Sequence, residues 1–339
     1  MTAGTALAKP HRFDENVLRN LGLVGVLVIL VLVGIITRPE LYSDPAWVKN
    51  NIFVILQQAS AIGVVTVGMT FVIIGGGIDL SVGAIIALAG VWSTTLATQS
   101  YGAVGMIFTA LVVGIAVGLV NGVLIAYGKL VPFIATLAML VAARGLAAQI
   151  SGKQTQVSAN DTINSIASTK VLGIPTLVWI LAAVVVAGWV LLNRTTFGRR
   201  TVAVGGNPEA ARLAGINVKR HTLLLYMLSG LCCGIAAIML TSQATSAQAA
   251  MANLYELDAI AAAIIGGTLL SGGRGTIVGA LFGVLVFSTI TNLFAINNLA
   301  SEVQNMVKGG IIVAAVLLQQ FRYRSLTNLL RRRNDRDNP

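Results

Sequence analysis

Apolar runs long enough to cross a bilayer recur along nearly the whole chain, and they constrain its fold more than any motif does. They cover residues 21–36, 52–74, 80–96, 104–127, 133–150, 176–192, 223–240, 257–270, 277–294 and 303–318. A hydrocarbon core about 30 Å thick needs about 20 apolar residues per helix, fewer where flanking side chains snorkel. No soluble core could bury them: of 339 residues 56% are hydrophobic and 10% charged, against roughly 25% charged in an average soluble domain. Aromatics are 6% while Gly numbers 36, a mixture that suits closely packed helices in lipid. The expectation is an all-α integral membrane protein with about ten transmembrane helices, within a range of eight to eleven. The range reflects a short eighth run and the fact that only Gly75-Gly76-Gly77-Ile78-Asp79 separates the second run from the third.

A formal charge of +11 would suggest nucleic acid in a soluble protein, yet here the basic residues cluster beside apolar runs. Lys9, Arg12 and Arg19 precede the first run. Arg194, Arg199, Arg200, Arg212, Lys219 and Arg220 lie between the sixth and seventh, and Arg322, Arg324, Arg331, Arg332, Arg333 and Arg336 follow the last. With ten spans and a cytoplasmic start, these clusters, Lys129 and Arg274 place 17 Lys/Arg inside, against four outside: Arg38, Lys49, Lys153 and Lys170. That is the positive-inside bias, and an odd number of spans would put one basic tail outside. Both termini are therefore expected in the cytoplasm, with the lipid bilayer and not nucleic acid as the partner of the basic surface. The first run ends in Thr37-Arg38-Pro39-Glu40 without a small-residue cleavage pattern, so it reads as a retained helix and not a signal peptide. The domain reading is a cytoplasmic tail over 1–20, a transmembrane domain over 21–320 with a cytoplasmic segment at 193–222, and a basic cytoplasmic tail over 321–339.

No enzyme signature is present. His11 and His221 sit in or beside basic stretches, without the partners of a metal site or a catalytic triad. Cys232 and Cys233 are adjacent inside an apolar run, where they read as small buried fillers. No Gly-x-x-x-x-Gly-Lys-Ser/Thr loop occurs, so ATP, if it energises this chain, binds to another polypeptide. The chain is expected to hold no cofactor and no metal.

Three polar stretches carry more information. In the central segment Asn207 is a good N-cap, Pro208 fits the first helical position, Glu209 complements the dipole, and Gly215 can close a left-handed cap. The short helix so defined reads as a docking element outside the membrane, against the plainer reading of a solvated positive-inside loop. Asp79 follows Gly76 and Gly77 and precedes Ser81 and Gly83. It either caps the third span, accepting N–H bonds from Ser81 or Val82, or lines a cavity beside a broken helix. The stretch containing Gly272, Gly273 and Arg274, preceded by Glu256-Leu257-Asp258, is either a gate between two helices or a tight cytoplasmic turn. The echo of Ile73-Ile74-Gly75-Gly76 in Ile264-Ile265-Gly266-Gly267 carries no weight in a chain so rich in Gly.

Together these strings resemble the permeases of bacterial ribose, xylose, arabinose and galactofuranose ABC importers. The matching stretches are Gly76-Gly77-Ile78-Asp79-Leu80-Ser81-Val82-Gly83, Gly205-Gly206-Asn207 with Ala210-Ala211, and Glu256-Leu257-Asp258 leading into Ser271-Gly272-Gly273-Arg274-Gly275-Thr276. The resemblance implies a permease of the bacterial inner membrane that passes a monosaccharide, in a two-permease, two-ATPase assembly. It also implies a periplasmic sugar-binding protein, a second permease copy, identical or not, and ATP with Mg held by the partner ATPase. It places the ATPase-coupling helix at Asn207, Pro208, Glu209, Ala210, Ala211, Arg212 and Gly215. A neutral sugar calls for hydroxyl and amide groups along its path, and Thr66, Thr70, Ser81, Ser93, Asn121 and Thr136 are candidates of that kind. The alternative is an ion-coupled secondary transporter, for which Asp79 is the one deep acidic residue, Glu256, Asp258 and Glu302 lying near run ends.

Overall fold

The computed structural model describes residues 15–334, with side chains described from 19 to 317. Lys9, His11, Arg12 and the arginines of the C-terminal tail lie outside the residues whose side chains are described. Among the described residues the regular elements are helices and four two-residue strands. Its elements run α1 (Glu15–Thr37), α2 (Pro39–Tyr42), α3 (Pro45–Ile74), α4 (Val82–Ser93), α5 (Leu96–Gln99), α6 (Gly102–Ala126) and α7 (Pro132–Ile150). There follow β1 (Gln156–Val157), α8 (Asp161–Ser168), β2 (Lys170–Val171), β3 (Ile174–Pro175), α9 (Thr176–Arg194), α10 (Thr196–Gly206) and α11 (Pro208–Leu213). The last elements are α12 (Val218–Ala244), β4 (Ser246–Ala247), α13 (Tyr255–Ile265), α14 (Ile277–Ile296) and α15 (Ser301–Asn334).

Every expected span falls on a helix, but not every one is long enough to cross a membrane. Among the described residues seven helices meet that requirement: α1, α3, α6, α7, α9, α12 and α14. The expected third span shrinks to the 12 residues of α4 and the eighth to the 11 of α13, which at 1.5 Å per residue fall well short of a 30 Å core. Glycine caps close the helix before α4 and α13 itself. Gly76 (φ +84°) and Gly267 (φ +86°) adopt left-handed backbone, and each ends a helix in the same way. The Gly76 and Gly77 N–H groups donate to the carbonyls of Ile73 and Val72, both at 2.9 Å. The Gly267 and Thr268 N–H groups donate to those of Ile264 and Ala263 at 2.8 and 2.9 Å.

The short helix α4 is central. It is apolar all round and, apart from Trp92, buried all round, as a helix without a polar face must be. Around it pack α6, α7, α12 and α13, while α3 bridges α12, α13 and α14. The tightest crossing is α6 on α12, where Gly114, Gly118 and Gly122 face Gly230, Gly234 and the backbone of Tyr226 and Leu223. A Cβ on Gly118 would strike the Tyr226 carbonyl, and one on Gly230 the Gly114 carbonyl. Such small-residue stripes let backbones touch where lipid supplies no hydrophobic drive between helices. Cys232 and Cys233 are buried and free, filling this core as expected.

Contacts sort the helix ends. At one end Arg19 of α1 donates to the Thr276 hydroxyl at 3.0 Å, and Gly273 donates to the carbonyl of Ile74 at 2.8 Å. At the other, Asn297 donates to the Thr37 hydroxyl at 3.4 Å and β1 pairs with β4, Gln156 opposite Ala247. The stretch 151–173 is more ordered than its polar composition suggests. Asn160 caps α8 by accepting from Ile163 N–H at 3.1 Å, and the Ala167 N–H donates to the Ser242 hydroxyl at 2.8 Å.

If the α6–α12 crossing sets the bundle's stability, Gly118→Ala lowers it by about 1–3 kcal/mol, the usual cost of overpacking. An unchanged thermal unfolding midpoint of the detergent-solubilised protein would contradict that.

Candidate functional site

The expected short helix forms where its signals put it. The Asn207 Oδ1 accepts from the N–H groups of Glu209 (3.1 Å) and Ala210 (3.0 Å), Pro208 occupies the first turn, and Gly215 turns left-handed at φ +82°. The Arg212 Nε donates to Glu209 Oε2 at 3.1 Å, and this guanidinium holds the Glu209 carboxyl below its ordinary range. Ala211, however, turns inward and is buried against the rest of the protein, whereas Leu213 stands 75% exposed. The outward face of α11 is therefore Pro208, Glu209, Ala210, Arg212 and Leu213. An exposed leucine on a two-turn polar helix was not singled out in the sequence, because only the placement of α10 reveals which face is free.

α11 does not hang on a flexible loop. The helix before it, α10, is fixed to the first turn of α12 by the contact of Thr201 Oγ1 with His221 Nε2 at 2.9 Å. Phe197 stacks between His221 (4.7 Å) and Phe71 of α3 (6.1 Å). At its C-terminal end α10 runs into a junction of glycine backbones. A Cβ on Gly205 would overlap the Ile74 carbonyl, one on Gly272 would meet Gly76 Cα at 3.0 Å, and one on Gly273 would meet Gly206 Cα at 2.9 Å. Three of the glycine pairs noted in the sequence thus touch one another. Arg274 follows in the same loop, and its carbonyl accepts from the Leu269 N–H at 3.0 Å.

Above this junction lies Asp79, fully buried. Its Oδ1 accepts from the Ser81 N–H at 3.0 Å and the Ser81 hydroxyl at 2.6 Å, and its Oδ2 accepts from the Ser229 hydroxyl at 3.0 Å. Asn121 of α6 donates to the Ser81 hydroxyl at 2.8 Å, and the Tyr226 hydroxyl donates to the Ile78 carbonyl at 3.1 Å. One carboxylate therefore ties the turn before α4 to both α6 and α12. Ser81 is the N-cap residue of α4 but makes no side-chain cap bond; its hydroxyl serves the carboxylate instead. Of the other polar residues expected along a solute path, Thr66, Thr70, Ser93 and Thr136 are buried and donate to carbonyls of their own helices. Asn121 keeps an unpaired Oδ1.

The network makes a prediction about Asp79. An Asn side chain keeps the oxygen that faces Ser81, and the Ser229 hydroxyl can turn to accept from its amide, so Asp79→Asn leaves the fold intact. Asp79→Ala strands three donors in the interior and destabilises by about 1–3 kcal/mol. Equal thermal midpoints for the two variants would refute this account.

Sequence comparison agrees with the geometry. A family model described as branched-chain amino acid transport system / permease component matches residues 51–316. The ribose import permease protein of Escherichia coli (strain K12) is 36% identical over 323 residues, 94% of this chain and 98% of that one. Its counterpart from Bacillus subtilis (strain 168) is 41% identical over 310 residues, 90% and 94% of the two chains. The L-arabinose transport system permease protein of Escherichia coli (strain K12) is 37% identical over 271 residues, 78% and 80%. No solved structure matches. With the match spanning the buried helices, the glycine junction and α11 alike, the chain belongs to the branched-chain amino acid transport system permease family, multi-pass inner-membrane subunits of bacterial ABC importers.

Proposed function

We propose that the protein is the permease subunit of an ATP-binding cassette importer that passes a monosaccharide across the inner membrane. The observation that carries this reading is α11, a capped helix with an exposed apolar tip, joined by backbone contacts to the ends of α3 and of the α13–α14 connection. Such a helix can receive a push and pass it on. The names of the similar permeases, which import ribose and arabinose, point to a pentose or a related monosaccharide. Family membership favours this over an ion-coupled secondary transporter.

The chain crosses the membrane about ten times in this reading, with both termini and α11 in the cytoplasm. Successive long helices alternate in direction between the Arg19–Thr276 end and the Thr37–Asn297 end, and α4 and α13 complete the alternation as half-spans. Irregular backbone at membrane depth is tolerated where it is buried in protein or lines a cavity, which suits both connections. The tails at 1–20 and 321–339 carry the positive-inside charge. Two ATPases, holding ATP and Mg, dock on α11; a periplasmic binding protein delivers the sugar; and a second permease copy completes the path. This chain carries no ATPase site of its own. Asn121, with its unpaired oxygen, is the path residue ready to meet a hydroxyl, and Thr66, Thr70, Ser93 and Thr136 contribute after rotating away from their own helices.

The test uses the assembled transporter in proteoliposomes. Uptake requires ATP and persists when the proton and sodium gradients are collapsed. Ala210→Glu and Leu213→Glu, on the free face of α11, cut uptake at least about tenfold, as loss of a buried interface anchor does, while insertion and folding are unchanged. Arg199→Ala and Arg200→Ala, flanking charges, act more mildly. Full activity in both glutamate variants would remove α11 from the coupling path.

A further inference from the structure

At the end of the bundle away from α11, the connection from α12 to α13 is strained. Thr245, Ala252 and Leu254, none of them glycine, hold left-handed backbone at φ +50°, +54° and +64°. Left-handed non-glycine residues are uncommon and persist where surrounding structure enforces them, often at functional sites. Here the enforcement comes from Arg144 of α7, whose Nη1 donates to the carbonyls of Ala249 (2.7 Å) and Met251 (3.0 Å). The same connection walls a cavity of about 260 Å³, whose lining includes Gln243, Ser246, Gln248, Met251, Ala252 and Tyr255.

Glu256 follows directly after that wall. It is 7% exposed, and its Oε2 has no hydrogen-bond partner. The carboxylate lies over Gly83: a Cβ there would strike the Ala252 carbonyl and meet Glu256 Oε2 at 2.7 Å and Arg144 Nη2 at 3.4 Å. Glycine at position 83 therefore makes the space beside which a buried acid and a half-buried base stand without an ion pair. An unpaired buried carboxylate oxygen is costly, so its retention beside a cavity calls for an external hydrogen-bond donor.

We propose that the cavity, the amides of Gln243 and Gln248, and the carboxylate of Glu256 form a binding site for a neutral polyhydroxyl solute on the side from which it arrives. The 245–254 connection acts as the gate over it. The chemistry selects the ligand class. Glu256 and Arg144 cancel in charge, so the site favours neither a cation nor an anion. A carboxylate oxygen accepts from a hydroxyl, and two amides both donate and accept. At about 260 Å³ the cavity lies near the lower end of the range for ligand pockets, about 300 Å³, the scale of one small solute. When the connection shifts, the Ala252 carbonyl leaves the Gly83 surface, and Oε2 opens to the cavity. This inference rests on the importer reading and adds to it where solute is held.

The experiment measures both uptake and ATP hydrolysis in the reconstituted complex of permease, ATPase and binding protein, with ribose as the probe. Glu256→Gln and the double variant Gln243→Ala/Gln248→Ala lower the ribose moved per ATP hydrolysed by about tenfold or more, the loss expected when a hydrogen bond to a buried group is removed. ATP hydrolysis itself persists, which separates a solute-binding defect from a collapse of structure; Glu256→Asp recovers part of the ratio. Should Glu256→Gln fail to assemble, the double amide variant decides alone. An unchanged ratio in the amide variant, or in an assembled Glu256→Gln protein, overturns the site. Absence of ATP-dependent uptake by the wild-type complex for ribose, arabinose and galactose alike would instead overturn the importer reading on which the site rests.

Discussion

Direct contact between backbones at glycine is the interaction on which the rest of this structure depends. In lipid there is no hydrophobic gain from joining two apolar helices, so close van der Waals packing must hold them. At the α6–α12 crossing, Gly114 and Gly118 meet Gly230 and the Tyr226 carbonyl with no room for a single methyl group. The pattern returns between α13 and α14, where a Cβ on Gly283 would overlap the Ala262 carbonyl and one on Gly279 the Gly266 carbonyl. Contacts of this kind resist bending, because an interior packed to crystal density responds to force by moving as a body. The glycine junction under Asp79 extends that stiffness to α11.

The two buried acids show what a satisfied and an unsatisfied carboxylate do in such an interior. Asp79 accepts from three donors contributed by α12 and by the turn before α4, and it thereby locks two elements together. Both of its oxygens have a donor. Glu256 differs in having one oxygen without a partner, a strained connection before it, and a cavity beside that connection. Asp79 thus holds the turn before α4 to α12. Glu256, in Glu256-Leu257-Asp258, has the unfilled acceptor oxygen. Its neighbour Asp258 is paired with Lys308 of α15 at 3.1 Å and is thereby accounted for.

Much of this was legible in the sequence, wherever the physics is local. The caps of α11 are set within nine residues, so Asn207, Pro208 and Gly215 announce them without reference to the rest of the chain. Helix positions also follow from apolar runs, although run length alone hid the shortness of α4 and α13. What stayed hidden involves partners far apart in sequence. Ser229 is 150 residues from Asp79, and Tyr226 is 148 from Ile78. The inward face of Ala211 depends on α10, whose place depends in turn on Thr201 meeting His221 across 20 residues. Likewise α8 is not apparent from a polar stretch, because its docking uses Ser242 on α12, 75 residues away from Ala167.

The echo between the two glycine strings gains a meaning that composition alone could not give it. Gly75 and Gly266 sit at φ −72° and −65° with ψ near zero, and the residues after them turn left-handed at +84° and +86°. The hydrogen bonds that close the two caps agree to 0.1 Å. Frequent glycine explains two similar strings; it does not explain two strings with the same cap geometry whose connections then meet each other through Gly273 and Ile74. Both connections also meet Gly205, three residues before α11 begins, and the second meets Gly206 as well. One connection leads into α4, whose first turn holds Gly83. The other lies at the C-terminal end of α13, whose first turn holds Glu256. The two half-helices meet where Gly83 faces Glu256.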